Sequence, residues 1–171
     1  MDLTTTEPAS ERFDALYRST ASDVFAYALT LLRDRAAAED VTAAAFERAY
    51  RRQATFDPAR GSQRAWLFGI ARNLALDELR RRRRHAALIA DPEDASEPPA
   101  HDDDEAAVRR AAVRAALASL PGRERELIAL KFHAGLSNAE IARVLGVSET
   151  NAGTLVHRAV TRLRKACHAP S

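Results

Sequence analysis

An all-α architecture of two small helical domains, joined by an acidic flexible linker, follows from three features of the chain. The first is composition: 46% of the 171 residues are apolar, much of that share is alanine, and only 6 are glycine. Such a balance suits closely packed helices better than sheets. The second is periodicity, because apolar residues recur at three- and four-residue steps over long stretches. The third is "DPEDASEPPAHDDDE", residues 91–105, with eight acids, three prolines and almost no aliphatic side chains. A segment like this cannot bury enough apolar surface to offset its ordering entropy, so a flexible tether is expected there.

Each element has its own signal. Phe13, Leu16, Tyr17, Val24, Tyr27, Ala28 and Leu31 define a helix over residues 11–32. "RDRAA" is a turn, and a second helix over 36–53 places Val41, Ala45, Ala49 and Tyr50 inward. "TFDPARGS" breaks the pattern with Pro58 and Gly61. A third helix follows, "RAWLFGIARNLALDELRRRRRH", burying Trp66, Leu67, Ile70 and Leu74 and completing a three-helix domain. Beyond the tether, "AAVRRAAVRAALASL" is a helix stopped by Pro121-Gly122, and "RERELIALKFHAG" is the next, closed by Gly135. Two further helices complete a four-helix second domain.

Charge is segregated along the chain. Residues 1–90 carry 15 arginines against 12 acids, residues 91–105 carry eight acids and no Lys or Arg, and residues 106–171 carry 11 Lys and Arg against four acids. Two basic blocks around an acidic one suggest a nucleic acid or an acidic partner. Cys167 is the only cysteine, so no internal disulfide forms, and the scattered histidines (85, 101, 133, 157 and 168) suggest no metal site. No nucleophile–base constellation or glycine-rich phosphate loop points to catalysis, and no cofactor is expected. The N-terminus has no signal-peptide pattern and no apolar run approaches 18 residues, so a cytoplasmic chain without membrane insertion is expected.

Two stretches carry the function. The third helix ends in five arginines, Arg80, Arg81, Arg82, Arg83 and Arg84. Opposing the macrodipole explains one or two cations at a helix C-terminus; five point to a polyanion outside. On a helical wheel Gly69, Arg72, Asn73, Leu76 and Arg80 share the face opposite Trp66, Leu67, Ile70 and Leu74, and a small residue, an amide and guanidiniums suit close approach to a nucleic-acid strand. The other stretch is "LSNAEIARVLGVSETNAGTLVHRAV". Ser137 and Glu140 form a capping box, Gly146 breaks the helix, Val147 fills the corner, and Ser148 caps the next helix. Small Ala142 with apolar Ile141, Leu145, Ala152 and Leu155 makes the shared face of a helix-turn-helix. Ser148, Glu149, Thr150, Asn151, Thr154 and His157 are then placed to reach base edges, with Arg158, Arg162, Arg164 and Lys165 on phosphates.

The ordered set AED…AF…AY, W-L-F-G-I-A-R-N, L-P-x-R-E-R-E and the helix-turn-helix, split by a polar tether, resembles the extracytoplasmic-function (ECF) sigma factors of bacterial RNA polymerase. The resemblance covers about residues 11–84 and 106–166. It implies a disordered tail (1–10), a region 2 domain (11–85), an interdomain linker (86–105), a region 4 domain (106–166) and a short C-terminal tail (167–171). It further implies that region 2 takes the −10 promoter element through Phe56, Arg60, Gly69, Arg72, Asn73, Leu76 and the five arginines, with Phe56 and Asn73 holding unpaired bases. By the same resemblance Asp40, Phe46, Glu47, Arg48 and Arg51 dock on the polymerase clamp helices, although Ala43-Ala44 stands where the family usually has Gln-Glu. Region 4 contacts the polymerase flap and reads −35 duplex through Ser148, Glu149, Thr150, Asn151, Thr154, His157, Arg158 and Arg162; Gly153 and Leu155 replace the Lys and Arg of many members. The linker would thread toward the polymerase active centre, and an anti-sigma factor would clamp the two domains. A free-standing helix-turn-helix regulator is the alternative, and a helical nucleic-acid-modifying enzyme a more remote one.

Overall fold

The computed structural model describes residues 9–88 and 105–168, and every element among them is helical. The expected tether lies outside the described residues except for Glu105, which opens a helix; most of both expected tails also lies outside them.

Helix α1 (Ala9–Leu32) buries Leu16, Val24, Tyr27, Ala28, Leu31 and Leu32 along one stripe. Thr20 sits in the same stripe because its hydroxyl donates to the Leu16 carbonyl (2.5 Å). Arg33 adopts a left-handed conformation (φ 54°) and turns the chain, and Asp34 caps α2 (Arg35–Arg52) by accepting from the Ala37 N–H at 3.0 Å. Helix α2 buries Ala38, Val41, Ala45, Phe46 and Ala49. Tyr17 and Tyr50, expected inward, are half exposed, because Phe46 fills the space between α1 and α2; Tyr17 packs edge-on against Phe46 and Tyr50 against Phe13 from outside.

Two 3₁₀ turns, Gln53–Thr55 and Pro58–Arg60, lead into α3 (Gln63–Leu88). The buried stripe of α3 is Ala65, Leu67, Phe68, Ile70, Ala71 and Ala75; Trp66 and Leu74 only flank it. Phe68 meets Tyr27 edge-on at 5.5 Å in the centre of the bundle.

The second set of helices is α4 (Glu105–Ser119), α5 (Gly122–Ile128), α6 (Asn138–Leu145) and α7 (Glu149–His168). The helix expected to run unbroken to Gly135 instead widens after Ile128 into a π turn, Ala129–His133, closed by Ala134 N–H to Ala129 O (3.0 Å) and Leu136 N–H to Leu130 O (3.1 Å). The His133 and Ala134 carbonyls fall at the end of this helix, where no further helical N–H reaches them. Gly146 ends α6 in the left-handed region (φ 69°), where a side chain would be strained.

The helices do not form two separate bodies. Helices α1 and α3 pack against α5, the π turn and α6, and buried side chains from both halves form one continuous apolar core.

Candidate nucleic-acid and polymerase interfaces

The loop between α2 and α3 is held rigidly. Asp57 accepts from the Ala59 N–H (2.9 Å), and the Ser62 hydroxyl accepts from the Ala65 N–H (3.1 Å) at the start of α3. Below it lies a cleft of about 500 Å³ bordered by Arg52, Phe56, Arg60, Trp66, Gly69 and Asn73. Phe56 leans on Trp66, with ring centroids 5.6 Å apart and planes tilted by 52°. A Cβ built on Gly69 would meet nothing within 4 Å, so packing inside this chain does not demand the glycine. Mid-helix glycine costs about 1 kcal/mol against alanine, and what it leaves here is an open patch of backbone beside the exposed Asn73. Arg60 is exposed and Leu76 half-buried. The cleft thus brings together an aromatic pair, an amide, a bare helix surface and cations.

Arg72 departs from the expectation of a free cation on this face. Its side chain is only 16% exposed and pairs with Glu126 of α5, itself 6% exposed. The five arginines also divide. Arg80 pairs with Asp77 (2.8 Å) and Arg81 with Glu78 (2.8 Å). Arg82 is a structural clamp: it bonds Glu78 (2.8 Å), Asp34 (2.9 Å) and the Leu32 carbonyl (3.2 Å), tying α3 to the α1–α2 turn. Only Arg83 and Arg84 of the block lack an acidic partner among the described residues. These contacts shift the acids. Hydrogen bonding to Arg81, followed by that to Arg82, pulls the Glu78 carboxyl down to about 2. Asp34 is lowered by the Ala37 N–H, and by Arg82 beside it.

Along α2, Asp40 and Arg48 are exposed, and Glu47 pairs with Arg51 at 2.6 Å. Phe46 is a correction: at 5% exposure it is a core side chain, packed edge-on against Phe13 and Tyr17, and offers no surface for docking. The exposed rings nearest this face are instead Tyr17 and Tyr50, which a helical wheel alone places inward.

The helix-turn-helix is built as its capping signals require. The Ser137 hydroxyl accepts from the Glu140 N–H (3.2 Å) while Glu140 accepts from the Ser137 N–H (2.9 Å), and Ser148 accepts from the Asn151 N–H (3.2 Å). Ser148 at the cap of α7, and Glu149, Thr150, Asn151, Thr154, His157, Arg158 and Arg162 along it, all face solvent. Arg162 is held by Glu124 (2.6 Å), and Arg123, Arg158 and Lys165 line the same groove. Gly153 turns toward α6, where a Cβ would stand 3.3 Å from the Asn138 amide nitrogen, and Leu155 packs on the core. Those two positions are therefore helix–helix contacts in this chain.

A polar seam joins the two halves. The Arg64 guanidinium lies over Phe68 (5.4 Å), pairs with Asp23 (2.5 Å), and donates to the carbonyls of His133 (3.3 Å) and Ala134. Ser62 donates to Glu140. Tyr27 is fully buried beside Glu126, and burial first, then that carboxylate, pushes its hydroxyl well above the ordinary range. The carboxylate favours protonated Tyr27 because a phenolate there would meet a second negative charge.

A cleft rimmed by arginines and an aromatic pair, set beside a solvent-facing helix-turn-helix, defines a class: helical DNA-binding proteins. Family comparison narrows the class. Residues 16–85 match Sigma-70 region 2, and residues 110–163 match Sigma-70, region 4. The chain is 36% identical over 151 residues to the ECF RNA polymerase sigma factor SigL of Mycobacterium tuberculosis, covering 88% of this chain and 85% of that one. Its fold matches the sigma factor RpoE solved with the anti-sigma factor NepR from Bartonella quintana (TM-score 0.77, 24% identity, 94% of this chain and 99% of that one). It also matches CnrH solved with the cytosolic domain of CnrY (TM-score 0.69, 26% identity, 95% and 91%). The chain belongs to the ECF sigma factors, the promoter-specificity subunits of bacterial RNA polymerase. No helix among the described residues is long and apolar enough to cross a membrane.

Proposed function

We propose that this sigma factor traps the melted −10 strand in the Phe56–Trp66–Asn73 cleft and reads −35 duplex with the outer face of α7. The observation that carries the reading is the cleft itself: an aromatic pair, an exposed amide and a bare glycine surface share one rim. Extruding a base from a duplex costs a few kcal/mol, and stacking on an aromatic ring returns about 1–3 kcal/mol per base. Arg83 and Arg84 supply charge to the adjoining backbone, while Ser148, Glu149, Thr150, Asn151, Thr154, His157 and Arg158 approach base edges. Arg162 takes a phosphate once it leaves Glu124. Asp40, Glu47, Arg48 and Arg51 form the polar docking face for the polymerase clamp helices, and the region 4 domain meets the flap. The protein acts in the cytoplasm by binding alone, without bond chemistry. CnrH, solved with the cytosolic domain of CnrY, supports control by an anti-sigma factor.

Run-off transcription with core polymerase on genomic fragments locates a promoter, and permanganate footprinting then tests the cleft. Asn73→Ala is expected to reduce the reactivity of unpaired thymines at least fivefold while core binding holds. Undiminished reactivity overturns the assignment. Promoter-specific binding as tight without core as with it would favour a stand-alone helix-turn-helix regulator.

A further inference from the structure

Between α5 and the C-terminal half of α7 runs a groove of about 570 Å³. Leu127 and Leu155 give it apolar surface, and Arg123, Arg158, Arg162 and Lys165, all exposed, give it charge. Glu124, in the first turn of α5, is the one acid that lines it. Glu124 holds Arg162 at 2.6 Å through Oε1, and its side chain is only 19% exposed. The other oxygen, Oε2, is buried and accepts from no donor among the described residues. A first-turn carboxylate complements the helix dipole, but it does so equally well with both oxygens in water. Turning inward leaves a desolvated oxygen unmet, which costs stability. Arg123, Arg158 and Lys165 have no acidic partner among the described residues. One cation of the groove is restrained, at a cost, and three are not.

We propose that Glu124 is a charge brake on duplex binding: by withholding Arg162 from the DNA backbone, it lowers the affinity of α7 for duplex of every sequence without touching a base. The proposal rests on the reading of α7 as the −35 helix. On that reading Arg158 and Arg162 lie one turn apart beyond the base-facing residues, and Lys165 follows three residues on, so a strand flanking the major groove runs along this rim. A phosphate that takes Arg162 either displaces Glu124 or comes to rest beside its carboxylate. The first outcome strands a carboxylate that is largely withdrawn from water, and the second sets two negative charges side by side. Neither penalty depends on the bases above. Because Arg162 is 58% exposed, the hold is that of an ion pair half open to water, up to about fivefold in binding. Glu124 thus removes part of the backbone attraction that carries non-specific binding, and leaves a larger share of promoter binding to base contacts and to polymerase.

Binding of the full-length chain to two labelled duplexes tests this. One carries the −35 region of a promoter located by run-off transcription, and the other has that region shuffled. Fluorescence anisotropy over about 50–200 mM salt gives affinity and salt slope for wild type, Glu124→Gln, Arg162→Gln and the double variant. Glu124→Gln is expected to tighten binding to both duplexes by the same factor, about two- to fivefold, and to steepen the slope by up to about 0.9. With Arg162→Gln already in place, the same change is expected to give a smaller gain. Unchanged or weaker binding by Glu124→Gln at wild-type Tm overturns the brake. A gain confined to one duplex overturns it too, since Glu124 then acts on bases, and so does an equal gain without Arg162. If Glu124→Gln melts below wild type, the Arg162 Nε–H resonance of the wild-type chain decides, assigned by its loss in Arg162→Gln. It is expected to shift when either duplex is added, and a resonance that DNA leaves in place overturns the proposal. Equal binding of the two duplexes by wild type overturns the −35 reading instead, while a uniform gain in Glu124→Gln still upholds the brake on non-specific binding.

Discussion

Replacing Arg72 by methionine tests whether the seam is an ionic contact or merely an apolar one. With Arg72 16% exposed and Glu126 6% exposed, the pair is largely withdrawn from water. Removing one member of such a pair strands the other and typically costs about 3–5 kcal/mol. The lower end applies here, because the halves can part and let water reach Glu126, which caps the penalty. A loss of about 3 kcal/mol corresponds to roughly 6–12 °C in Tm for a chain of this size. Replacing both members, Arg72→Met with Glu126→Leu, removes the stranded charge, so the double variant should return to within about 1 kcal/mol of wild type. Circular dichroism melts of the four proteins of this cycle provide the measurement. If Arg72→Met costs less than about 1 kcal/mol, or the double variant melts as low as the single, the buried charge is not what the contact protects.

Three further outcomes are expected from the ion pairs and the helix packing. Arg82→Ala should lower Tm by several degrees because it frees Asp34 and the Leu32 carbonyl and leaves Glu78 to Arg81 alone, whereas Arg83→Ala and Arg84→Ala should leave Tm unchanged and reduce the salt slope of promoter binding by about 0.7 for each single-strand phosphate that is no longer neutralised. Gly153→Ala should raise stability by up to about 1 kcal/mol through helix propensity, since the Asn138 amide it approaches is the movable end of a side chain; a lower Tm would show that the amide cannot give way. Because the Glu78 carboxyl is depressed from 4.5 to about 2, its contribution to stability is present above about 4.5 and fades as pH falls toward 2. Glu78→Gln should flatten that part of the acid unfolding curve, and a curve of unchanged shape would contradict the ion pairing.

Local signals made the helices legible, and longer-range ones were hidden. Capping at Ser137 and Ser148, the break at Gly146 and the three- and four-residue steps of α1 and α2 each act within a few residues, so they can be read directly. The π turn has no such signature: nothing in "ALKFH" marks where an extra residue enters the helix. Tyr17 and Phe46 show how periodicity misassigns aromatics. Both lie between α1 and α2, but only one ring fits the centre, and which one depends on the crossing of the helices. The association of the halves was the largest feature missed. A usable signal was present, since Arg64, Phe68 and Arg72 follow at four-residue steps. A cation–ring–cation stripe on one helix face suits a surface that covers it with carboxylates and carbonyls. Of the expected −10 residues, Phe56, Arg60, Gly69 and Asn73 share the cleft, whereas Arg72 and Arg82 are spoken for by acids elsewhere in the chain.

The carbonyls at the end of the π turn have a consequence for how the seam can be broken. Arg64 is received there by main-chain oxygens of residues 133 and 134, which every amino acid carries. Side-chain replacement at those two sites leaves the acceptors in place, so genetic drift removes this link most readily at position 64 or through mutations that reshape the turn. A suppressor screen begun from an Arg64 variant should accordingly find no charge-swapped rescuer at either acceptor position.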